Sequence, residues 1–375
     1  MTRTEVRVEG WLSSGPVGLV SGAVAGLVFG VLFEDPLKAF VRRVGRAAVG
    51  LVRGRRDIPR PGREFRLGPL HVPCQIMEGD GERAIEPRHV RVLVNPVDVQ
   101  LPLELVEWRS EVLAEQERRR RSGEVNHWNG PCYAVDDLIV SRTGPREEPE
   151  ITLILKYSDY HTFLTTQRLD RRFRDGSTPR SRYLDGREPC DVPDFMRTTF
   201  GLNMAVVTAD GWLVLSWRSN RLGSGQGLWN SSANEGLSRD KDGAGAGPPD
   251  LFAAARRGLS EELHLPPDSY DLRLLAFTVV TSLSQWGVCF LTRLHDMSRE
   301  EFEAHVSRGV EDGWEHREFA LVPFRPEPVL RHLLRRDLRD LWAPTAPVLY
   351  YLALVNAYGR RAVDAAAARV LRTPS

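Results

Sequence analysis

Residues 251–265 read L-F-A-A-A-R-R-G-L-S-E-E-L-H-L, a run in which apolar side chains recur every three or four positions. Phe252, Ala255, Leu259 and Leu263 therefore share one face of a helix, and charged side chains occupy the other face. The prolines that precede the run suit the first turn of a helix. We predict a helix over 251–265 that buries its apolar stripe.

The charged face of this helix carries two adjacent carboxylates, Glu261 and Glu262. Neighbouring carboxylates repel each other unless a cation lies close to them. The pair therefore indicates either a solvated surface or a site for a hard metal ion such as Mg²⁺. Taken alone, it favours the solvated surface, because glutamate is rarely buried without a partner.

The segments around the helix predict a mixed unit over residues 199–345. Residues 204–208 and 212–217 read as strands, joined by the turn Ala209-Asp210-Gly211, and a further strand is predicted over 274–280. Upstream, strands over 89–95 and 151–157 and a helix over 102–121 predict a smaller α/β domain, residues 67–198. Two helices follow residue 325, of which the last makes a C-terminal segment over 346–375.

Residues 257–265, R-G-L-S-E-E-L-H-L, resemble the helix of the Nudix box, whose pattern is Arg-Glu-aliphatic-x-Glu-Glu-x-Gly-aliphatic. Five positions match the pattern: Arg257, Leu259, Glu261, Glu262 and Leu265. Gly243 falls where the box opens, but Gly258 replaces the first glutamate and His264 replaces the closing glycine. The resemblance implies a Nudix-type α/β/α sandwich around a mixed sheet. With the smaller α/β domain before it and one N-terminal transmembrane helix, both of which the residue patterns predict, the expected fold class is α+β.

A second resemblance lies upstream of the box. Residues 128–133, W-N-G-P-C-Y, and 157–163, Y-S-D-Y-H-T-F, are similar to the N-terminal domain of the Nudix branch that cleaves UDP-glucose and UDP-galactose. The two resemblances together imply a hydrolase that cleaves the diphosphate of a nucleoside diphosphate linked to another group, such as a UDP-sugar, with Mg²⁺ or Mn²⁺.

The resemblance also implies roles for individual residues. Glu235, Glu261 and Glu262 would hold the metal, with Asp250, Glu311 or Glu315 completing its ligands. Glu262 would also orient and deprotonate water, while Arg257, Arg218 and Arg221 would hold phosphate charge. Trp229 would stack on a base. Simpler interpretations stay open: Arg257 pairs with Glu261 along the helix, and Trp229 packs in the protein.

Because Gly258 removes one expected ligand, two other functions remain open. The first is a nucleotide sensor that binds without cutting and is coupled to an oligomerising membrane helix. The second is an anchored scaffold that binds no small ligand.

The N-terminal region predicts the anchor. No charged residue occurs from position 10 to 33, and residues 15–33, after an N-terminal tail over 1–14, are long enough for a transmembrane helix. A signal peptide and a buried soluble helix are the alternatives. Gly18, Gly22, Gly26 and Gly30 share one face, a pattern typical of helices that self-associate in lipid.

Charge predicts the orientation of the anchor. Residues 1–66 hold twelve Arg and Lys against six acids, although the whole chain has a net charge of only +1. Residues 34–66 read as a basic amphipathic segment and a linker, which favours anionic lipid over nucleic acid. The main body is then expected on the cytoplasmic side of the cell membrane. The chain has only three lysines, which is typical of a bacterial sequence rich in arginine codons. The four cysteines are too far apart for a zinc site and suit a reducing compartment.

Overall fold

The structure is a computed structural model, and it describes residues 63–124, 126–145, 147–218, 227–243, 247–307 and 316–372. Its main element is a curled nine-stranded sheet with the strand order β1-β2-β10-β11-β6-β7-β12, in which β8 also pairs with β7 and β9 with β6. The pair β11–β6 is parallel, and the others are antiparallel. The strands are β1 (Glu64–Leu67), β2 (Leu70–Glu78), β6 (Phe200–Val207), β7 (Trp212–Arg218), β8 (Trp229–Asn230), β9 (Ala233–Gly236), β10 (Tyr270–Val280), β11 (Gln285–Leu294) and β12 (His316–Pro323).

A second sheet has three strands in the order β3-β5-β4. They are β3 (Val90–Asp98), β4 (Pro131–Thr143) and β5 (Glu148–Asp159). Apolar residues of this sheet share one core with the large sheet, since Leu153 and Leu155 of β5 belong to the same buried cluster as Phe200 and Leu202 of β6. The two sheets therefore form one packed body through this common core.

Eight α-helices complete the part of the chain that the structure describes. They are α1 (Leu103–Ser122), α2 (Tyr160–Thr166), α3 (Arg239–Asp242), α4 (Leu251–Leu263), α5 (Arg299–Ser307), α6 (Pro326–Leu333), α7 (Thr345–Tyr358) and α8 (Arg360–Arg372). α4 and α7 both contact the central strand β6, but they belong to two different apolar clusters. Every residue of β6 is buried, as expected for a strand covered on both faces.

The expected fold class is wrong. The protein has a mixed α/β fold around one curled sheet, and not an α+β chain in which a small domain precedes a Nudix-type sandwich. The difference from the expected fold arises at β2. This strand pairs with β10 and so joins the N-terminal part of the described chain to the large sheet. β2 contains Pro73, and a proline argues against an interior strand when only the sequence is considered.

The helix predicted to cross the membrane is not shown. In the described ranges, no helix is long and apolar enough to span a bilayer. The predicted span over 15–33, with its glycine face, lies outside those ranges, as does the amphipathic segment up to residue 62. Residues 64–66, expected in the linker, belong to β1.

The local predictions agree with the structure more closely. The helix predicted over 251–265 is α4, the hairpin strands are β6 and β7, and the helix over 102–121 is α1. The single helix expected near the C-terminus is two helices, α7 and α8. They are separated by Gly359, whose φ of +77° lies in a region that glycine adopts without strain.

Candidate functional site

α4 presents Arg257 to a group of buried carboxylates. Its first turn is capped by Asp250, whose side chain accepts hydrogen bonds from the backbone N–H groups of Phe252 and Ala253. Arg257 Nη1 lies 2.8 Å from Glu235 Oε2 on β9 and 3.2 Å from Glu261 Oε2 one turn along the helix. The cap fixes where α4 begins, and its helical period then brings the guanidinium to the end of β9.

Arg257 makes its strongest contact with Asp242, at the end of the short helix α3. Arg257 Nε and Nη2 donate to the two carboxylate oxygens of Asp242, both at 2.9 Å. The guanidinium also donates to the carbonyl of Gly236 at 3.3 Å. A bidentate pair of this kind is the strongest arginine–carboxylate geometry. Arg257 therefore joins α3, β9 and α4 at one point.

Glu235 is the most buried carboxylate of the group, with 1% of its surface exposed. Burial raises the pKa of Glu235 to about 8, against the attraction of Arg257, and the neighbouring Glu262 and Glu261 raise it further. Glu235 Oε1 accepts a hydrogen bond from the N–H of Gly236 at 2.8 Å. Near neutral pH this side chain therefore holds a proton for much of the time.

The two carboxylates of the acidic pair have different environments. Glu262 is buried, and both of its oxygens accept the backbone N–H of Asn234, at 3.0 and 3.1 Å. Glu261 is partly exposed, and its Oε2 also contacts Lys241 Nζ at 2.8 Å. Glu262 thus ties α4 to the start of β9, whereas Glu261 pairs with two cations.

Lys241 reaches the network from α3, whose N-cap residue is Ser238. The hydroxyl of Ser238 accepts a hydrogen bond from the backbone N–H of Lys241, and Ser238 thereby caps the short helix. The ammonium of Lys241 pairs with Glu261, and Lys241 lines a cleft at the junction of the two sheets. A cation therefore lies beside the carboxylates at the edge of this cleft.

The cleft is a small cavity of about 30 Å³. Its lining comes from β4 and α2 on one side and from β6, β9 and α3 on the other: Gly130, Pro131, Cys132, Tyr160, Thr199, Phe200, Glu235, Gly236, Leu237, Ser238 and Lys241. The backbones of Cys132 and Ser238 form a β-bridge across the junction. The enclosed part of the cleft has space for about two water molecules.

The carboxylates do not fit a Mg²⁺ site in this arrangement. Mg²⁺ requires oxygen ligands in nearly ideal octahedral geometry. The oxygens of Glu262 accept a backbone N–H, Glu235 Oε2 faces Arg257, and Glu261 Oε2 faces Lys241 and Arg257. Within the described part of the chain, no three His, Cys, Asp or Glu side chains are arranged to hold a metal ion. Mg²⁺ or Mn²⁺ therefore stays a prediction from the sequence.

The structure brings four of the predicted site residues together: Arg257, Glu235, Glu261 and Glu262. Trp229 does not join them. Its ring packs against Trp217, His332 and Trp342, at centroid distances of 5.0, 5.8 and 6.3 Å. This agrees with the simpler interpretation of Trp229 as a packing residue.

The remaining predicted residues have other positions. Asp250 caps α4, as described above. Arg218 is the last residue of β7, and its backbone pairs with that of His316 on β12. Arg221, Glu311 and Glu315 lie outside the described residues.

Two residues of the network were missed by the sequence analysis, Lys241 and Asp242. They belong to the run R-D-K-D at 239–242, immediately before Gly243. Lys241 is one of only three lysines in the chain, which is the signal that could have drawn attention to it. Charge runs are usually solvated, and this one gains its role through the ion pairs that Lys241 and Asp242 make with Glu261 and Arg257 of α4.

Gly258, which replaces a glutamate of the Nudix pattern, has a packing reason. A Cβ atom at this position would lie 2.8 Å from Glu235 Cβ and 3.2 Å from Met204 Cε. Any side chain at 258 would therefore collide with Glu235. Glu235 of β9 occupies the space that a side chain at position 258 would need, so the helix has no glutamate there.

We expect Gly258→Ala to lower the free energy of unfolding by ~1–3 kcal/mol, because the close contact lies between Cβ atoms that cannot rotate away. Urea denaturation of the full chain measures the change. Gly247→Ala is the matched control, since a Cβ there meets no atom within 4 Å, and it should change stability little. Equal stability of the two variants would contradict the packing explanation.

No protein-family model matches the chain, and no curated protein matches it. Among solved structures, the chain is similar to the crystal structure of DR0079 from Deinococcus radiodurans, with 18% sequence identity. The match covers 36% of this chain and 72% of that chain, at a TM-score of 0.27. A likeness at this level supports no argument about fold or function.

Proposed function

We propose that the cleft binds a small phosphate-bearing ligand, such as a nucleoside diphosphate linked to another group, and does not hydrolyse it. The observation that carries the proposal is the position of Lys241. Its ammonium lies 2.8 Å from Glu261 Oε2, and Lys241 is one of the residues that line the cleft. A permanent cation thus stands beside the carboxylate that the sequence analysis assigned to Mg²⁺.

Lys241 supports phosphate binding through its charge. A lysine ammonium is a compact point charge with three donors, and it can contact a phosphate oxygen while keeping its bond to Glu261. The carboxylates nearby are held by Arg257 and by backbone N–H groups, which limits their repulsion of an anion. The protein itself thereby supplies the charge that a metal ion would bring.

The same contacts argue against hydrolysis. Diphosphate cleavage requires an oxygen nucleophile, and an ammonium does not lower the pKa of water as a bound divalent metal does. Glu262, the predicted base, has both oxygens directed at the backbone N–H of Asn234. Binding without turnover is the sensing role in its simplest form. Because the cleft walls come from both sheets, a bound ligand would stabilise their junction.

The test is calorimetric titration of the full chain with pyrophosphate and with a nucleoside diphosphate sugar, in the presence of EDTA. We expect binding that survives EDTA, and we expect Lys241→Met to weaken it by about 10- to 150-fold, through the loss of a charged hydrogen bond of ~1.5–3 kcal/mol. Lys156→Met is the matched control. That lysine also pairs with two carboxylates, those of Asp136 and Asp194, but it does not line the cleft.

Metal-dependent hydrolysis is the competing outcome. Turnover of the nucleoside diphosphate sugar with Mg²⁺, abolished by Glu262→Gln, would replace the sensing proposal by the hydrolase that the sequence resemblance implies. Binding that requires Mg²⁺ and ignores Lys241→Met would also contradict the role given to Lys241.

The membrane anchor remains part of the proposal. We infer from the sequence that residues 15–33 anchor the chain and that the basic segment after them contacts anionic lipid. Their glycine face would carry the signal as self-association. The full chain should then stay with membranes in high salt and be released by detergent. Release by salt alone would indicate a purely electrostatic attachment.

A further inference from the structure

One side of the helix α1 is apolar and exposed. Leu103, Val106 and Leu113 have 83%, 46% and 39% of their surfaces accessible, and the exposed Ser110 lies between them in the row. The four residues follow the 3-4-3 spacing of a coiled-coil seam, in which apolar side chains meet a second helix. Single exposed apolar residues are ordinary on a protein surface, whereas a row of them on one helix face marks an interaction site. These four residues form the α1 seam.

The other sides of α1 contact the rest of the protein. Its buried face, which carries Leu105, Trp108 and Val112, belongs to one apolar cluster with residues of α2. Along a second side, three glutamates pair with arginines of the segment after α2: Glu107 with Arg174, Glu111 with Arg171 and Glu115 with Arg168. These two sets of contacts hold α1 in place, and the α1 seam is the side available to another molecule.

The charge of α1 changes sign along the helix. Residues 103–112 contain three glutamates and one arginine, a net charge of −2, whereas residues 113–122 contain two glutamates and four arginines, a net charge of +2. The pair of Glu107 and Arg174 is long, 3.4 Å, and their side chains are 62% and 90% exposed, so Glu107 is open to a second cation. An antiparallel copy of α1 would place the acidic half against the basic half, while a parallel copy would place like charges together.

We propose that α1 is a homodimer interface, in which α1 of a second copy of this chain packs antiparallel along the α1 seam. The heptad spacing sets the register: Leu113 meets Leu113 of the second copy at a two-fold axis, and Glu107 faces Arg121 of the second copy. The hydroxyl of Ser110 then faces Glu117 of the second copy, to which it can donate a hydrogen bond. The inference adds an interaction surface to the proposed function, and it rests on the anchor of that function and not on the ligand of the cleft.

The membrane anchor compensates for the small size of this interface. One pair of helices buries less surface than a stable dimer in water needs. Two chains anchored through residues 15–33 in the same membrane meet at a raised effective concentration, which lowers that requirement. The two-fold axis between antiparallel helices can lie along the membrane normal, and this keeps both chains on the same side of the membrane. The α1 seam and the glycine face of the anchor would therefore act in one dimer.

Sedimentation equilibrium of the full chain in detergent micelles measures the dimerisation constant. We expect Leu113→Glu to weaken dimerisation by at least about tenfold, because it brings two carboxylates together at the centre of the interface. Leu371→Glu is the matched control. Leu371 lies on α8 and has a similar exposure, 45%, so its replacement should change the constant by less than about twofold.

Charge reversal tests the direction of the second helix. Glu107→Arg and Arg121→Glu should each weaken dimerisation by about 3- to 10-fold, and a chain with both changes should recover most of the parent constant. The two residues are about 21 Å apart along their own helix, so recovery in the double variant comes from the contact between copies.

Several results would overturn the proposal. A full chain that is monomeric in micelles, or a dimer that survives Leu113→Glu unchanged, would remove α1 from the interface. Loss of the dimer in Gly22→Ile together with an unchanged dimer in Leu113→Glu would assign self-association to the anchor. Weakening by both charge reversals without recovery in the double variant would contradict the antiparallel arrangement. Pyrophosphate binding to the same variants is measured separately, so the ligand of the cleft can fail while the dimer stands, and the reverse.

Discussion

Replacing Arg257 by methionine is expected to lower the free energy of unfolding by ~3–5 kcal/mol, the loss typical of a buried ion pair from which one partner is removed. The side chain of Arg257 is 16% exposed, and its guanidinium contacts Glu235, Asp242 and Glu261. Methionine has a similar length but leaves Asp242 without its cation, whereas Glu261 keeps its ion pair with Lys241. Asp242, whose side chain is 4% exposed, bears the largest penalty because its two oxygens lose both of their bonds to Arg257.

Arg256→Met is the matched control for this prediction. Arg256 is the preceding residue of α4, and its side chain donates a long hydrogen bond, 3.5 Å, to the carbonyl of Phe252. Its replacement should cost less than ~1 kcal/mol. Adding Asp242→Asn to Arg257→Met should recover part of the loss, because it removes the buried charge that was left unpaired. Urea denaturation at pH 7 measures all four proteins. Equal losses in the two arginine variants would show that the network does not hold α3 to α4.

The second large effect concerns pH and Glu235. Burial raises the pKa of this carboxyl to about 8, whereas an unfolded glutamate has an ordinary value near 4.5. Between these values the folded protein holds a proton that the unfolded chain has released. The contribution of Glu235 to the free energy of unfolding is therefore fully present below about pH 4.5, and it falls as the pH rises toward 8. The slope approaches 1.4 kcal/mol per pH unit, which gives about 2 kcal/mol between pH 6.5 and 8.

Glu235→Gln should remove this dependence, because the neutral amide has the shape of the protonated acid. The variant is expected to match the parent chain near pH 5 and to exceed its stability at pH 8. Subtracting the two curves cancels the contributions of buried histidines such as His127 and His332, whose pKa values burial lowers to about 4. Glu261→Gln is the control and should keep most of the slope. If the difference in unfolding free energy between the parent chain and Glu235→Gln were the same at pH 6.5 and at pH 8, Glu235 would be ionised throughout this range.

Periodicity was enough to predict the local elements. The apolar spacing of residues 251–265 predicted α4, and the i, i+4 spacing predicted that Arg257 would contact Glu261, which it does at 3.2 Å. The Asp-Gly turn predicted the hairpin of β6 and β7. These features depend on residues close in the chain, whose geometry is set by backbone sterics and helical pitch.

The candidate site could be predicted only in part. Four of its residues were found through the Nudix resemblance, but their partners were not. Lys241 and Asp242 reach Glu261 and Arg257 of α4 through long-range ion pairs, and no periodic pattern encodes that approach. Glu262 was expected beside Glu261 as a metal ligand, yet it is buried against the N–H of Asn234. Whether a carboxylate meets a metal, a cation or a backbone donor depends on neighbours that are distant in sequence.

The sequence by itself determined the elements of this protein: an amphipathic α4, an Asp-Gly hairpin and an acidic pair at the end of a helix. Tertiary structure alone decided that β2 extends the large sheet through β10 and that Arg257 meets Glu235 and Asp242. The physical reason is the range of the forces involved. Backbone preference acts over a few residues, whereas strand pairing and the burial of charge depend on which distant segments the apolar core brings together.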